Sequence, residues 1–172
     1  MEIWDVLDAG GNKTGKTIAR NENNTLTDSE YVLAVHVYIQ NQKNRWLIQK
    51  RSATKEFAPN VWDITGGAVI SGEDSQSAAL REVKEEIGID LDQNNMYLEA
   101  RLTRESRFVD IWVARASFDL SACVLQAEEV SAVRWVASED LMNLVFHGEY
   151  RDRDYEALVT ELVNTYNQEG SQ

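Results

Sequence analysis

Apolar positions in this chain fall into short runs separated by polar breaks, with stretches of helical period between and after them. The runs "YVLAVHVYIQ" (31–40) and "RWLIQKR" (45–51) are rich in β-branched and aromatic residues. Only "NQKN" separates them, which predicts an antiparallel hairpin. "EIWDVL" (2–7) reads as a short strand ended by a Gly- and Asn-rich turn, "DAGGNKTGK", and the polar stretch 20–29 reads as a loop. "VWDIT", after the only proline, Pro59, gives another short strand, and 97–103, 108–116 and 131–136 give further ones. Helical spacing predicts helices over 75–87, 138–146 and 152–168. Antiparallel strands with few helices imply an α+β fold arranged as an α/β/α sandwich. With 172 residues and no internal repeat, a single domain over 1–172 is expected.

Composition narrows the functional classes. Aliphatic and aromatic residues make up 43% of the chain, enough for a packed core. The formal net charge of -12 argues against a nucleic-acid partner, because such binding relies on Lys and Arg to neutralise phosphates. A small phosphorylated ligand carried in with metal ions remains compatible with that charge. No apolar run reaches membrane-spanning length, so no membrane association is expected. The first residues, "MEIWDVLDAGGNKTGK", lack the basic and apolar regions of a signal peptide. The single cysteine, Cys123, excludes an internal disulfide and a thiolate metal cluster. The expected location is the cytoplasm.

The helix over 75–87 carries the chemistry. Asp74 suits its N-cap and Gly88 its left-handed C-terminal residue. Ala79, Val83 and Ile87 recur every four residues as a buried stripe, with Leu80 at its edge. Glu82, Glu85 and Glu86 stand at i, i+3 and i+4, so their carboxylates leave from one neighbouring face. Two such charges about 5 Å apart repel by roughly 3 kcal/mol at an effective dielectric near 20. A divalent cation converts that repulsion into attraction, and carboxylate oxygens are the ligands Mg²⁺ and Mn²⁺ prefer. Taken alone, "EVKEE" reads more readily as a solvated face with Arg81 and Lys84 as salt-bridge partners.

The wider spacing decides between these readings. Gly67, five residues, Glu73, seven residues, then Arg81-Glu82, Val83, Lys84, Glu85-Glu86, Ile87, Gly88 and Ile89 resembles the Nudix box without a departure. The resemblance to Nudix hydrolases implies a mixed sheet between helices, with the box as a loop–helix–loop. It implies Mg²⁺ or Mn²⁺ held by Glu82, Glu85 and Glu86, with the Gly67 carbonyl nearby, and Arg81 paired to Glu73. It further implies a small diphosphate substrate and, as one assembly, a homodimer. Hydrolysis of a diphosphate suits such a site, since metal ions orient water and neutralise the charge that builds on phosphate oxygens. Within the family the general base is either a box glutamate, here Glu85, or one from a later loop. In "LQAEEVSAVRWV", Glu128 and Glu129 precede a strand, and Glu129 is the expected loop base.

The flanks are similar to the isopentenyl-diphosphate-isomerase-like branch, through "EIWDVLDAGGNKTGK" and "RWLIQKRSATKEFAPNVWDITGG". True isomerases carry a cysteine near the "VWDITGG" position and histidines in their metal site. This chain has Trp62, Asp63, Ile64, Thr65 and Gly66 there, and its two histidines are His36, in a strand, and His147, far downstream. Isomerisation therefore lacks a proton-transfer partner, and hydrolysis is expected instead. A third reading is a non-catalytic nucleotide-binding regulator, against which the full set of box glutamates argues. Lys50 and Arg51, at a strand end, are the candidate phosphate ligands, with Arg51 favoured for its forked geometry. Phe57, Trp62, Phe108 and Trp112 suit either base stacking or core packing.

Overall fold

Alternation along one central strand sets the layers. A computed structural model describes residues 2–20, 26–146 and 153–169. In β3 (Val32–Gln40), Val35, Val37 and Ile39 pack to one side with Leu47, Ala79, Val83 and Ile87. Tyr38, from the same strand, packs to the other side with Trp46, Ile48, Ile111, Leu141, Tyr155 and Val159. Both faces of β3 are thus covered, which explains why its run is almost continuously apolar.

The remaining elements follow from that strand. Next along the chain are β4 (Trp46–Arg51), β5 (Trp62–Asp63), β6 (Thr65–Ala68) and α1 (Ser75–Ile87). They are followed by β7 (Met96–Arg104), β8 (Arg107–Arg115), β9 (Val130–Val136), α2 (Ser138–Phe146) and α3 (Arg153–Glu169). Helix α1 lies on one face of the sheet, and α2 with α3 on the other, which is the expected α+β sandwich. Before them, β1 (Ile3–Leu7) and β2 (Lys13–Ala19) form a separate two-stranded sheet, attached through the Leu7–Tyr31 bridge. No helix among the described residues is long and apolar enough to cross a membrane.

Three expectations need correction. The predicted hairpin of 31–40 with 45–51 exists only at its turn, where Gln40 pairs with Trp46. Beyond it β3 runs parallel to β8, from Val32–Arg107 to Gln40–Arg115, while β4 turns away to pair with β9. Full pairing with two different neighbours satisfies more backbone groups than a two-stranded ribbon would. The predicted strand "VWDIT" is two strands: β5 pairs with β4, and β6 pairs antiparallel with β3. Finally, the predicted turn over "DAGGNKTGK" is too long. Asp8 Oδ1 accepts from the Gly10 and Asn12 amides at 2.8 and 2.9 Å and closes the turn, after which Lys13 onward is strand β2. Of the predicted loop 20–29, residues 21–25 lie outside the described residues, as do His147 and the predicted first residue of the last helix, Asp152.

Candidate active site

The partner switch between β5 and β6 delivers the site. It sets Gly66 and Gly67 beside β3, with Gly67 facing Glu82 of α1. Helix α1 begins with Asp74 accepting from the Ser77 amide at 2.7 Å and ends at Gly88, whose φ of 75° is open to glycine at no steric penalty. Between these caps Ala79, Val83 and Ile87 bury fully against the sheet, fixing the helix's rotation. That rotation turns Glu82 towards Gly67 and Glu86 inwards. A Cβ at Gly67 would fall 2.2 Å from the Glu82 carboxyl carbon, so any side chain there would displace the Glu82 carboxylate.

Arg81 ties the box together. Its Nε and Nη2 donate to the two Glu73 carboxylate oxygens at 2.8 and 3.0 Å, a forked pair joining loop to helix. Nη1 donates to Glu82 and Glu85 at 2.8 and 3.0 Å, and Nη2 also reaches the Ala68 carbonyl at 2.9 Å. This surplus of anionic acceptors holds the guanidinium firmly in its charged form, Glu73 contributing most. Glu82 is pushed above the usual carboxylate range, chiefly by burial, against the opposing pull of Arg81.

Glu86 is the most deeply placed of the box carboxylates. It is 6% exposed and accepts a hydrogen bond from Gln49 Nε2 at 2.8 Å. Thr65 Oγ1 in turn donates to Gln49 Oε1 at 3.2 Å and orients the amide. Burial raises the Glu86 carboxyl to about 8, with Glu82 and Glu129 adding to the rise and Gln49 opposing it. Sequence reasoning missed Gln49 and Thr65. The available signal was a buried-type strand, "WLIQ", interrupted by one amide.

The other expected residues divide. Glu129, half-buried just before β9, forms an ion pair with Lys55 and lies near enough to Glu86 to influence its proton. Glu128 is exposed, and its carbonyl accepts from Thr54 Oγ1 at 3.3 Å. The Arg51 guanidinium is engaged by the Phe57 carbonyl at 3.0 and 3.3 Å and the Ala58 carbonyl at 3.2 Å, where it braces the 52–61 loop. Lys50, half-buried, pairs in register with Trp62. Among the aromatics, Phe108 stacks on Tyr31, Trp112 is core, Arg134 covers Trp62, and Phe57 is exposed. His36 donates to or accepts from Tyr155 on the face away from α1, and Cys123 lies past the C-terminal end of α1, next to Val124, whose amide bonds the Ile87 carbonyl. Neither joins the glutamates.

The glutamates do not converge as a ready cage: no group of three such side chains is arranged to hold an ion among the described residues. Arg81 Nη1 sits between Glu82 and Glu85, and Gln49 draws Glu86 to the sheet side. What the arrangement shows is a partly buried, charge-unbalanced carboxylate field on one loop–helix unit.

A NUDIX domain model matches residues 30–158. The chain belongs to the Nudix family. An uncharacterised Nudix hydrolase of Listeria innocua is 42% identical over 151 residues, covering 87% of this chain and 88% of that one. A counterpart in Listeria monocytogenes gives the same identity and coverage. The fold is similar to a crystal structure from Deinococcus radiodurans with a TM-score of 0.74 and 25% identity, spanning 93% of this chain and 98% of that one. Nudix membership makes the chain a hydrolase of pyrophosphate bonds, in a family that acts on nucleoside-diphosphate-linked compounds and generally uses divalent metals. The Nudix box is thus the loop–helix unit of Gly67 to Ile89.

Proposed function

We propose that this Nudix enzyme hydrolyses the diphosphate linkage of a nucleoside diphosphate joined to another moiety, with Mg²⁺ or Mn²⁺ held by Glu82, Glu85, Glu86 and the Gly67 carbonyl. The observation that carries the reading is the excess of carboxylate around one arginine. Glu73, Glu82 and Glu85 share Arg81 while Glu86 lies buried beside them. The donor set suits such ions, being all oxygen, and Gly67 leaves the Glu82 carboxylate the room a side chain would fill. A bound divalent cation would orient water, lower its pKa and neutralise charge on the phosphate oxygens.

The chain's own groups do the rest. Arg81 and Glu73 keep loop and helix in register, so the carboxylates of α1 meet the substrate on a rigid element. Gln49 fixes the Glu86 carboxylate through its amide. Glu129, steadied by Lys55, takes the proton from the attacking water, with Glu85 as the in-box alternative. Lys50 and Arg51 serve the phosphates, Arg51 chiefly through the loop it braces. Turnover of a panel of nucleoside-diphosphate-linked compounds with Mg²⁺ or Mn²⁺, followed as released monophosphate, tests the proposal. Release that stops on chelation and in Glu86→Gln supports it; no turnover of any such compound would remove it.

A further inference from the structure

Residues 2–20 precede the region matched by the family model, which starts at residue 30. The hairpin they form nevertheless reaches the box loop through four contacts. Ser71 donates from its amide to the Ile3 carbonyl at 2.7 Å and from its hydroxyl to Asp5 Oδ1 at 2.7 Å. The Gly72 amide donates to Asp5 Oδ2 at 3.3 Å. Lys13, at the start of β2, forms an ion pair with Asp5 at 2.7 Å and reaches the Glu73 carbonyl at 3.5 Å.

These contacts grip a tight turn. The Glu73 amide bonds the Ile70 carbonyl at 3.1 Å, the Ile70 amide bonds Glu73 Oε2 at 3.2 Å, and Gly72 adopts a φ of 93°. The turn presents Glu73 to Arg81, and Arg81 then directs Nη1 to both Glu82 and Glu85. A shift of the turn therefore moves the guanidinium that spaces two of the box carboxylates.

We infer that Asp5 is a positioning residue of the carboxylate site, acting through the Ser71–Gly72 turn and the Glu73–Arg81 fork. The inference rests on the metal-site reading above. Asp5 touches no reacting atom; it sets where Arg81 sits, and so how Glu82 and Glu85 are presented to a cation. Groups that orient ligands from behind typically change metal affinity about 10–100-fold when lost.

The test is a Mn²⁺ titration of the full chain by electron paramagnetic resonance, at a temperature where circular dichroism shows every variant folded. Asp5→Ala should bind Mn²⁺ about tenfold more weakly than wild type, and Asp5→Asn, which keeps one acceptor oxygen, should fall between. Lys16→Ala removes an ion pair of 2.8 Å from the same hairpin without touching the turn, and should bind as wild type does. Should Asp5→Ala not fold, Ser71→Ala, at an exposed position, removes the same contact and should weaken binding in the same direction. Wild-type affinity in the Asp5 and Ser71 variants, or equal weakening in Lys16→Ala, overturns this inference alone. Absence of Mn²⁺ binding by the wild type overturns the metal-site reading and this inference with it.

Discussion

Arg101 and Arg81 each grip a carboxylate with two hydrogen bonds, but their surroundings differ in charge. Arg101 meets Asp110 at 2.6 and 2.8 Å, between neighbouring strands β7 and β8, and Asp110 is fully buried. One cation answers one anion, and the account closes. Arg81 meets Glu73 in the same forked way but also serves Glu82 and Glu85, with Glu86 buried alongside. A balanced pair holds strands together. An unbalanced one leaves negative charge that the fold itself does not neutralise, and such a surplus on rigid elements marks a site that works on something from outside.

Breaking each cluster should therefore give different losses. The largest expected effect is on activity: Glu86→Gln should lower diphosphate hydrolysis roughly 10²–10³-fold while the protein stays folded, by analogy with losing one electrostatic stabiliser of the transition state. Steady-state kinetics with a circular dichroism control checks this. Arg101→Ala should act on stability instead. It strands the buried Asp110 carboxylate and should lower unfolding free energy by about 3–5 kcal/mol with no dependence on divalent cations, read by urea titration. Arg81→Ala should fall between, with a smaller stability loss that Mg²⁺ partly restores, because the carboxylates it leaves behind can take a cation in its place.

A smaller effect concerns pH. Burial holds the Glu86 carboxyl up at about 8, against an ordinary value of 4.5. The folded protein then keeps a proton that the unfolded chain gives up. Stability of the metal-free protein should fall as pH rises from about 4.5 through about 8, and Glu86→Gln should flatten that slope in melts across the range. The smallest effect expected is for Cys123→Ser, which lies away from both arginine clusters and should leave hydrolysis near the wild-type rate.

The sequence was most legible where structure is local. Asp74, the Ala79–Val83–Ile87 stripe and Gly88 define α1 by short-range rules, and its ends fell where those rules put them. The resemblance to the Nudix box likewise paired Glu73 with Arg81 across eight residues. Legibility ended where a residue's partner is distant. Strand β2 is nearly all exposed, so it carries no apolar alternation, and only pairing with β1 makes it a strand. The change of partner between Asp63 and Thr65 has no periodic signature, yet it is what lays Gly67 against Glu82. Arg51 reads as a phosphate ligand from its strand-end position, but the carbonyls it engages come from a loop whose path the sequence does not reveal. Gln49 shows the converse: an unremarkable amide in an apolar strand turns out to hold the deepest carboxylate of the box.

The claim that the carboxylate surplus around Arg81 is a cation site is tested most directly by thermal melts with and without Mg²⁺ or Mn²⁺. At one hundred times the dissociation constant, binding should stabilise the wild type by about 2.7 kcal/mol. The Glu82→Gln, Glu86→Gln double variant should lose that shift while Arg101→Ala keeps it. A double variant that retains the full metal-dependent shift would place the cation elsewhere and contradict the account.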